Sequence, residues 1–254
     1  MLPAPADSAA SQPPPPAVAV VVAVLNEAEN IAAVGAEIVA AFAPGPAFEV
    51  VFVDDGSTDG TAAAVRALAA ADPRIRLVRH AERCGKSAAI RTGAAAARAP
   101  WIATMDGDGQ NDPKDLLAML ARAEAAGEPW PLVAGIRIRR NDPWSRRAAT
   151  RLGNGIRRAL LRDDCPDTAC GMKVFRRDAF LALPCFEGMH RFLPALFRRA
   201  GAPLLNHPVA HRPRAAGRSK YSNLQRAWAG LGDLFGVMWL VSRMRAPKIR
   251  PDDA

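Results

Sequence analysis

WIATMDGDGQNDP, residues 101–113, passes from apolar to acidic within a few positions. Trp101 to Met105 has the make-up of a buried strand, and it stops at Asp106-Gly107-Asp108, with Gln110 and Asp112 close behind. Asp and Gly favour turns, so a solvated turn would explain the stretch by itself. A cluster of oxygen ligands would explain it equally well. The flanking sequence has to choose.

Outward from this stretch, strand-like and helix-like runs alternate. Strands are predicted over 17–25, 48–53, 75–79, 101–105 and 132–136. Ala-rich helices are predicted near 27–42, 58–71, 87–98 and 113–126. Ser57 or Thr58 and Asp112 offer N-caps, and Pro113 suits a first helical position. Strands alternating with helices of this length specify βαβ units and a parallel sheet, an α/β fold. Ligands bind such sheets at the carboxyl ends of the strands. Here the first strand ends at Leu25-Asn26-Glu27, the second at Asp54-Asp55-Gly56-Ser57 and the fourth at Asp106-Gly107-Asp108. One acidic turn is unremarkable; polar and acidic groups at three strand ends of one sheet make a site.

The second half is less regular. Residues 137–177 hold twelve Lys or Arg against four Asp or Glu. A helix is expected over about 144–162, short elements at 172–176, 190–200 and 204–210, and a last helix over 222–243. The 254 residues are half apolar, enough for one substantial core. The net charge of +9 favours an anionic partner: nucleic acid, a phosphorylated substrate or an anionic membrane. Cys84, Cys165, Cys170 and Cys185 form no C-x-x-C pair, which predicts reduced, mostly buried thiols and a cytoplasmic setting. Residues 1–16 read as a disordered Pro-rich tail rather than a signal peptide. No apolar stretch reaches about 20 residues, so no membrane span is expected.

RCGKSAAI, residues 83–90, imitates the end of a phosphate-binding P-loop. The motif requires a Gly five residues before its Gly-Lys-Ser, and that position is His80. What survives is a turn at Gly85, a cation at Lys86 and a helix start, a suitable partner for a diphosphate.

VVAVLNEAENI (21–31), VFVDDGSTDGT (51–61), RCGKSAAIRTGAAAA (83–97) and WIATMDGDGQNDP, in this order, resemble the family-2 glycosyltransferases. GIRIRR, SRRAATRLGNGIRRALL, PDTACGMKVFRRDAF and GRSKYSNLQR extend the resemblance to the dolichyl-phosphate mannosyltransferase and bacterial polyprenyl-phosphate glycosyltransferase subgroup, over roughly 18–225. The resemblance implies a GT-A fold, with a mostly parallel central sheet flanked by helices. It implies an inverting transfer of a hexose, mannose or glucose foremost, from a GDP- or UDP-hexose to a polyprenyl phosphate, with Mg²⁺ or Mn²⁺ as cofactor. Asp106, Asp108 and Gln110 match the metal positions. Leu25, Asn26, Glu27, Asp54, Asp55, Lys86, Asp106 and Gly107 match the donor side, Asp55 as a shaper of the turn and Gly107 as a place of close backbone approach. Arg137, Arg147, Arg151 and the triplet Arg218-Ser219-Lys220 match the acceptor side. Asp106, Asp108 and Asp167 match the catalytic set, with Asp167 matching a family Asp near the reacting centre.

Arg139, Arg140, Arg157 and Arg158 read instead as a solvated helix face. HRPRAAGRSKYSN (211–223) reads as a mobile loop whose cations, Arg212 among them, have no acidic partner nearby in sequence. The implied organisation is a tail at 1–16, a transferase domain at 17–221, an amphipathic helix at 222–245 and a tail at 246–254. Many members of the subgroup carry C-terminal membrane helices. Here 222–245 suits either an interfacial helix on the inner face of the plasma membrane or a core-packing helix. Two rival functions stay open: a family-2 transferase acting on a saccharide hydroxyl in cell-surface polysaccharide synthesis, and a basic nucleic-acid-binding protein. The subgroup resemblance argues for a lipid phosphate and no nucleic acid.

Overall fold

The computed structural model describes residues 15–127, 130–138, 155, 157–213 and 223–245, the last segment without its side chains over 223–231. Seven strands form one sheet: β1 Val18–Val24, β2 Phe48–Asp54, β3 Ile75–Arg79, β4 Trp101–Asp106, β5 Leu132–Arg137, β6 Lys173–Arg176 and β7 Leu204–Val209. Their order is β3-β2-β1-β4-β6-β5-β7. The helices are α1 Ala28–Phe42, α2 Thr61–Ala71, α3 Lys86–Ala96, α4 Pro113–Ala125, α5 at 157–161, α6 Arg177–Leu181, α7 Leu193–Arg199 and α8 Asn223–Arg243.

Strands β1 and β2 are buried along nearly their whole length, which is why they read as unbroken apolar runs rather than alternating ones. The sheet's two faces bury separate cores. Val20, Val22, Val50 and Phe52 face α1 and α4, while Val21, Val51, Val53 and Ile102 face α3, α6 and α7. Gly93 lets α3 lie close on the second face, since a Cβ there would meet Val21 Cγ1 and come within 3.0 Å of Val53 Cγ2. Gly93→Ala is expected to destabilise the fold by about 1–3 kcal/mol, the usual cost of overpacking. A lowered urea midpoint at unchanged slope would record it.

One strand breaks the parallel pattern. β6 is antiparallel to both β4 and β5, and Lys173 at its start stands opposite Thr104. The chain entering β6 therefore arrives at the same sheet edge where β4 ends. That reversal delivers residues 165–172 to the acidic turn.

Other sequence expectations change in detail. α2 begins at Thr61 behind Gly60, so neither Ser57 nor Thr58 caps it. Asp112 does cap α4, accepting from the Lys114 N–H at 3.0 Å. Of the four thiols only Cys165 and Cys170 are buried; Cys84 and Cys185 are exposed. Arg157 does not sit on a solvated face. It is buried, paired with Asp163 at 3.0 Å, and its guanidinium also bonds Thr168 and the Cys165 carbonyl. Arg212 finds acids far off in sequence, Asp112 at 2.6 Å and Glu37 at 2.9 Å. The terminal tails at 1–14 and 246–254, most of the 144–162 helix and the loop at 214–222 lie outside the described residues.

Candidate active site

Asn26, two residues past the end of β1, sits in the left-handed region, φ 49°. Asparagine tolerates that conformation better than most residues. Its N–H donates to Ser57 Oγ and its own Oδ1 accepts from the Thr58 N–H, each at 2.8 Å. The Glu27 N–H donates to Thr61 Oγ1 at 2.8 Å, and the Glu27 carboxylate accepts from Asn30 at 2.7 Å. Half-buried Leu25 leads into this clasp between the first two strand ends.

Asp54 and Asp55 each bond both backbone N–H groups and a basic side chain nearby. Asp54 accepts from the Ser57 N–H at 2.9 Å and from Arg79 at 3.1 Å, and none of its side chain is exposed. Turn shaping, expected of Asp55, is thus Asp54's work too. Asp55 accepts from the Cys84 and Gly85 N–H groups, both at 2.8 Å. It thereby fixes the turn that opens α3, where Gly85 has φ 91°.

Lys86, first residue of α3, reaches across to pair with Asp106 at the end of β4. Burial alone would raise the Asp106 pKa; the Lys86 ammonium, by its charge and its hydrogen bond, outweighs this and holds the carboxyl below the usual range. The Asp106 N–H donates to Asn111 Oδ1 at 3.1 Å, and Asp108 accepts from the Gln110 N–H at 3.2 Å. Gln110 is tied to the chain after β7: its carbonyl accepts from the Arg212 N–H at 2.9 Å and its amide donates to the Arg212 carbonyl at 3.1 Å. Packing by itself already calls for a glycine at Gly107. A Cβ there would lie 2.5 Å from Val24 Cγ1.

The segment before β6 closes over this turn. A Cβ on Gly171 would fall 2.5 Å from Asp106 Oδ1, and the Gly171 carbonyl accepts from Thr104 Oγ1 at 2.7 Å. Just upstream, Asp167 takes both arms of the Arg137 guanidinium, Nε at 2.7 Å and Nη2 at 2.8 Å. Burial works against the charge on Arg137, but Asp167 more than compensates and raises its pKa, with Asp106 near enough to add to the effect. The candidate acceptor residue and the candidate catalytic aspartate are therefore one buried ion pair. Arg147, Arg151, Arg218, Ser219 and Lys220 lie outside the described residues.

Two basic residues behind the site were not foreseen. Lys173 is buried, its ammonium held by the Cys170 carbonyl at 2.5 Å and the Thr168 carbonyl at 3.3 Å. His190 Nδ1 lies 2.8 Å from Ser87 Oγ, beside Lys86. Burial, then the Lys86 and Lys173 charges, pushes the His190 pKa well below the ordinary value, so the ring is neutral. Nothing in the local sequence marks His190: its partner lies 103 positions away.

A mostly parallel sheet with one reversed strand, carrying an Asp-x-Asp turn at a central strand end, is the GT-A architecture of nucleotide-sugar transferases. The Glycosyl transferase family 2 model matches residues 19–183, and the chain belongs to that family. It is 30% identical over 231 residues to the dodecaprenyl-phosphate galacturonate synthase of Rhizobium johnstonii, covering 89% of this chain and 68% of that protein. It is also 30% identical over 205 residues to the undecaprenyl-phosphate 4-deoxy-4-formamido-L-arabinose transferase of Aeromonas hydrophila, covering 80% of this chain but only 60% of the relative. Among solved structures, a glucosyl-3-phosphoglycerate synthase from Mycobacterium tuberculosis with Mn²⁺ and UDP superposes with a TM-score of 0.65 at 21% identity, covering 92% of this chain and 81% of that one. The mannosyl-3-phosphoglycerate synthase from Rubrobacter xylanophilus gives 0.68 at 15% identity, covering 93% and 78%.

Proposed function

We propose that the chain transfers a hexose or hexose-derived sugar, with inversion, from a nucleotide sugar to a polyprenyl phosphate. The observation that carries this reading is the placing of two basic groups beside one acidic turn. Lys86 pairs with Asp106, and Gly171, which lies against the same carboxylate, follows four residues after the Asp167 that holds Arg137. Two anionic substrates have to meet in such a site, and each finds its own cation.

On the donor side, Lys86 begins a helix whose first N–H groups favour a diphosphate. Asp106, Asp108 and Gln110 offer oxygen donors of the hard type that Mg²⁺ and Mn²⁺ take. Asp106 pairs with the Lys86 ammonium, and a divalent cation would compete with or join that ammonium at the carboxylate. A bound divalent cation supplies neutralisation of the charge developing on the departing nucleotide. On the acceptor side, the planar fork of Arg137 suits a phosphate headgroup, and Asp167 sets its orientation. A phosphate is ionised at neutral pH, so Asp167 need not remove a proton. Ile138, next to Arg137, is 69% exposed and offers apolar surface to a lipid chain.

The same reading places the membrane against α8. No helix among the described residues is long and apolar enough to cross a bilayer. α8 both packs and faces outward: Leu234 and Val237 join the core with Phe192 and Ala195, while Phe235 and Trp239, one turn apart, are 61% and 62% exposed. Exposed Arg243 follows on that side. This is the composition of a helix lying at an anionic interface, here the cytoplasmic leaflet of the plasma membrane.

The test is a transfer assay with GDP- and UDP-sugars, including uronic-acid and amino-sugar donors, offered undecaprenyl phosphate or an oligosaccharide. A sugar phosphodiester on the lipid is expected. Transfer to the saccharide hydroxyl alone would overturn the acceptor assignment. Phe235→Ser/Trp239→Ser should weaken sedimentation with phosphatidylglycerol vesicles about tenfold, the scale of losing part of one buried aromatic.

A further inference from the structure

The turn between β3 and α3 carries a group that the transfer chemistry leaves over. His80, where the imitation P-loop lacks its first glycine, places Nδ1 2.8 Å from Asp55 Oδ1. Ligand atoms of Asp55, His80 and Cys84 all lie within 4.8 Å of one another. Cys84 is exposed, whereas the side chains of His80 and Asp55 are 13% and 6% exposed. An exposed thiol, donating to the Glu82 carbonyl at 3.4 Å, therefore lies beside a largely buried imidazole and carboxylate.

We infer that Asp55, His80 and Cys84 form a zinc site, separate from the Asp106–Asp108 turn. Thiolate, imidazole and carboxylate together select a borderline-soft cation over Mg²⁺ or Mn²⁺. In a tetrahedral zinc site the ligand atoms stand about 3.3–3.6 Å apart, from bond lengths of about 2.0–2.3 Å. The His80–Asp55 contact needs only a slight opening to meet this, and rotation of the exposed Cys84 side chain supplies the rest. The outer partners that metal ligands require are in place. His80 Nε2 lies 2.9 Å from Thr92 Oγ1, which orients the ring, and Asp55 is held by the Cys84 and Gly85 N–H groups. Zinc would take the Nδ1 lone pair of the neutral tautomer that carries its ring proton on Nε2, facing Thr92 Oγ1, and would displace the Cys84 thiol proton to solvent, leaving one coordination position for water. Binding ties β2, β3 and the start of α3 together at the turn that presents Lys86.

Cobalt titration of the full chain tests this without any transfer assay. One equivalent of Co²⁺ should produce a thiolate-to-metal charge-transfer band and the intense visible bands of a tetrahedral centre, and Zn²⁺ should bleach them. Cys84→Ser should abolish the charge-transfer band, while Cys185→Ser, at the other exposed thiol, should keep it. His80→Gln should weaken affinity at least tenfold, and circular dichroism should confirm that each variant is folded. Zn²⁺ should raise the melting temperature of the wild type and not of Cys84→Ser. Absence of the band at one equivalent, or an equal band in Cys84→Ser, overturns the site.

Discussion

Asp106→Asn is expected to lower sugar transfer by on the order of 10²–10³, the usual cost of removing one preorganised electrostatic group from a reaction centre. Asp108→Ala should be at least as damaging. Asparagine preserves the shape of the turn, because the Asp106 N–H keeps Asn111 and the Gly171 backbone keeps its neighbour. What is lost is the charge that holds Lys86 and that a divalent cation requires. Stability should fall modestly, because Lys86 loses its ionised partner while the backbone contacts of the turn remain. The sign of the pH effect follows from the depressed pKa. The contribution of the ionised carboxylate is complete above the unfolded value of 3.8 and is lost only as pH falls through the lower folded value. An acid limb of turnover near pH 5 must therefore come from another group. Calorimetry with UDP- and GDP-sugars should show metal-dependent donor binding in the wild type and its loss in both variants. Wild-type turnover in either variant would remove the acidic turn from the reaction.

The sheet and its edge were legible in the sequence because buried parallel strands write themselves as apolar runs, and each run here ends on a polar turn. Residues 48–54 show this: every position of β2 is buried, and the strand stops at Asp54. The reversal of β6 was not legible. Its four residues carry no mark of direction, and only pairing with β4 and β5 reveals it. That one reversal brings Asp167 to Arg137, thirty positions away, and lays Gly171 on Asp106. Burial of charge was equally hidden. Arg157 has the spacing of a surface arginine until Asp163, Thr168 and the Cys165 carbonyl surround it. Arg212 looks unpartnered along the chain because Asp112 and Glu37 lie 100 and 175 positions away. Local rules read which residues are polar; they do not read which polar groups the topology will bring together.

That distinction gives the second large effect, at Arg137. Arg137→Ala should both unfold the protein more easily and impair acceptor use, and the two losses can be separated. The Arg137 and Asp167 side chains are 15% and 6% exposed, so the substitution takes its two-armed partner away from a buried carboxylate. Breaking such a pair from one side costs about 3–5 kcal/mol, mostly as the penalty of the stranded charge. Arg137→Ala/Asp167→Asn removes that charge and should recover most of the urea midpoint. It should not recover transfer, because the fork that meets the phosphate is still missing. Arg137→Lys keeps a cation but cannot offer two parallel donors to either Asp167 or a phosphate, so it should fall between. In all three variants the apparent KM for polyprenyl phosphate should rise while nucleotide-sugar affinity stays near the wild-type value. If donor affinity falls in step with acceptor use, Arg137 belongs to the diphosphate side. If the double variant regains full transfer along with stability, the pair is a structural clasp and the acceptor phosphate is held elsewhere.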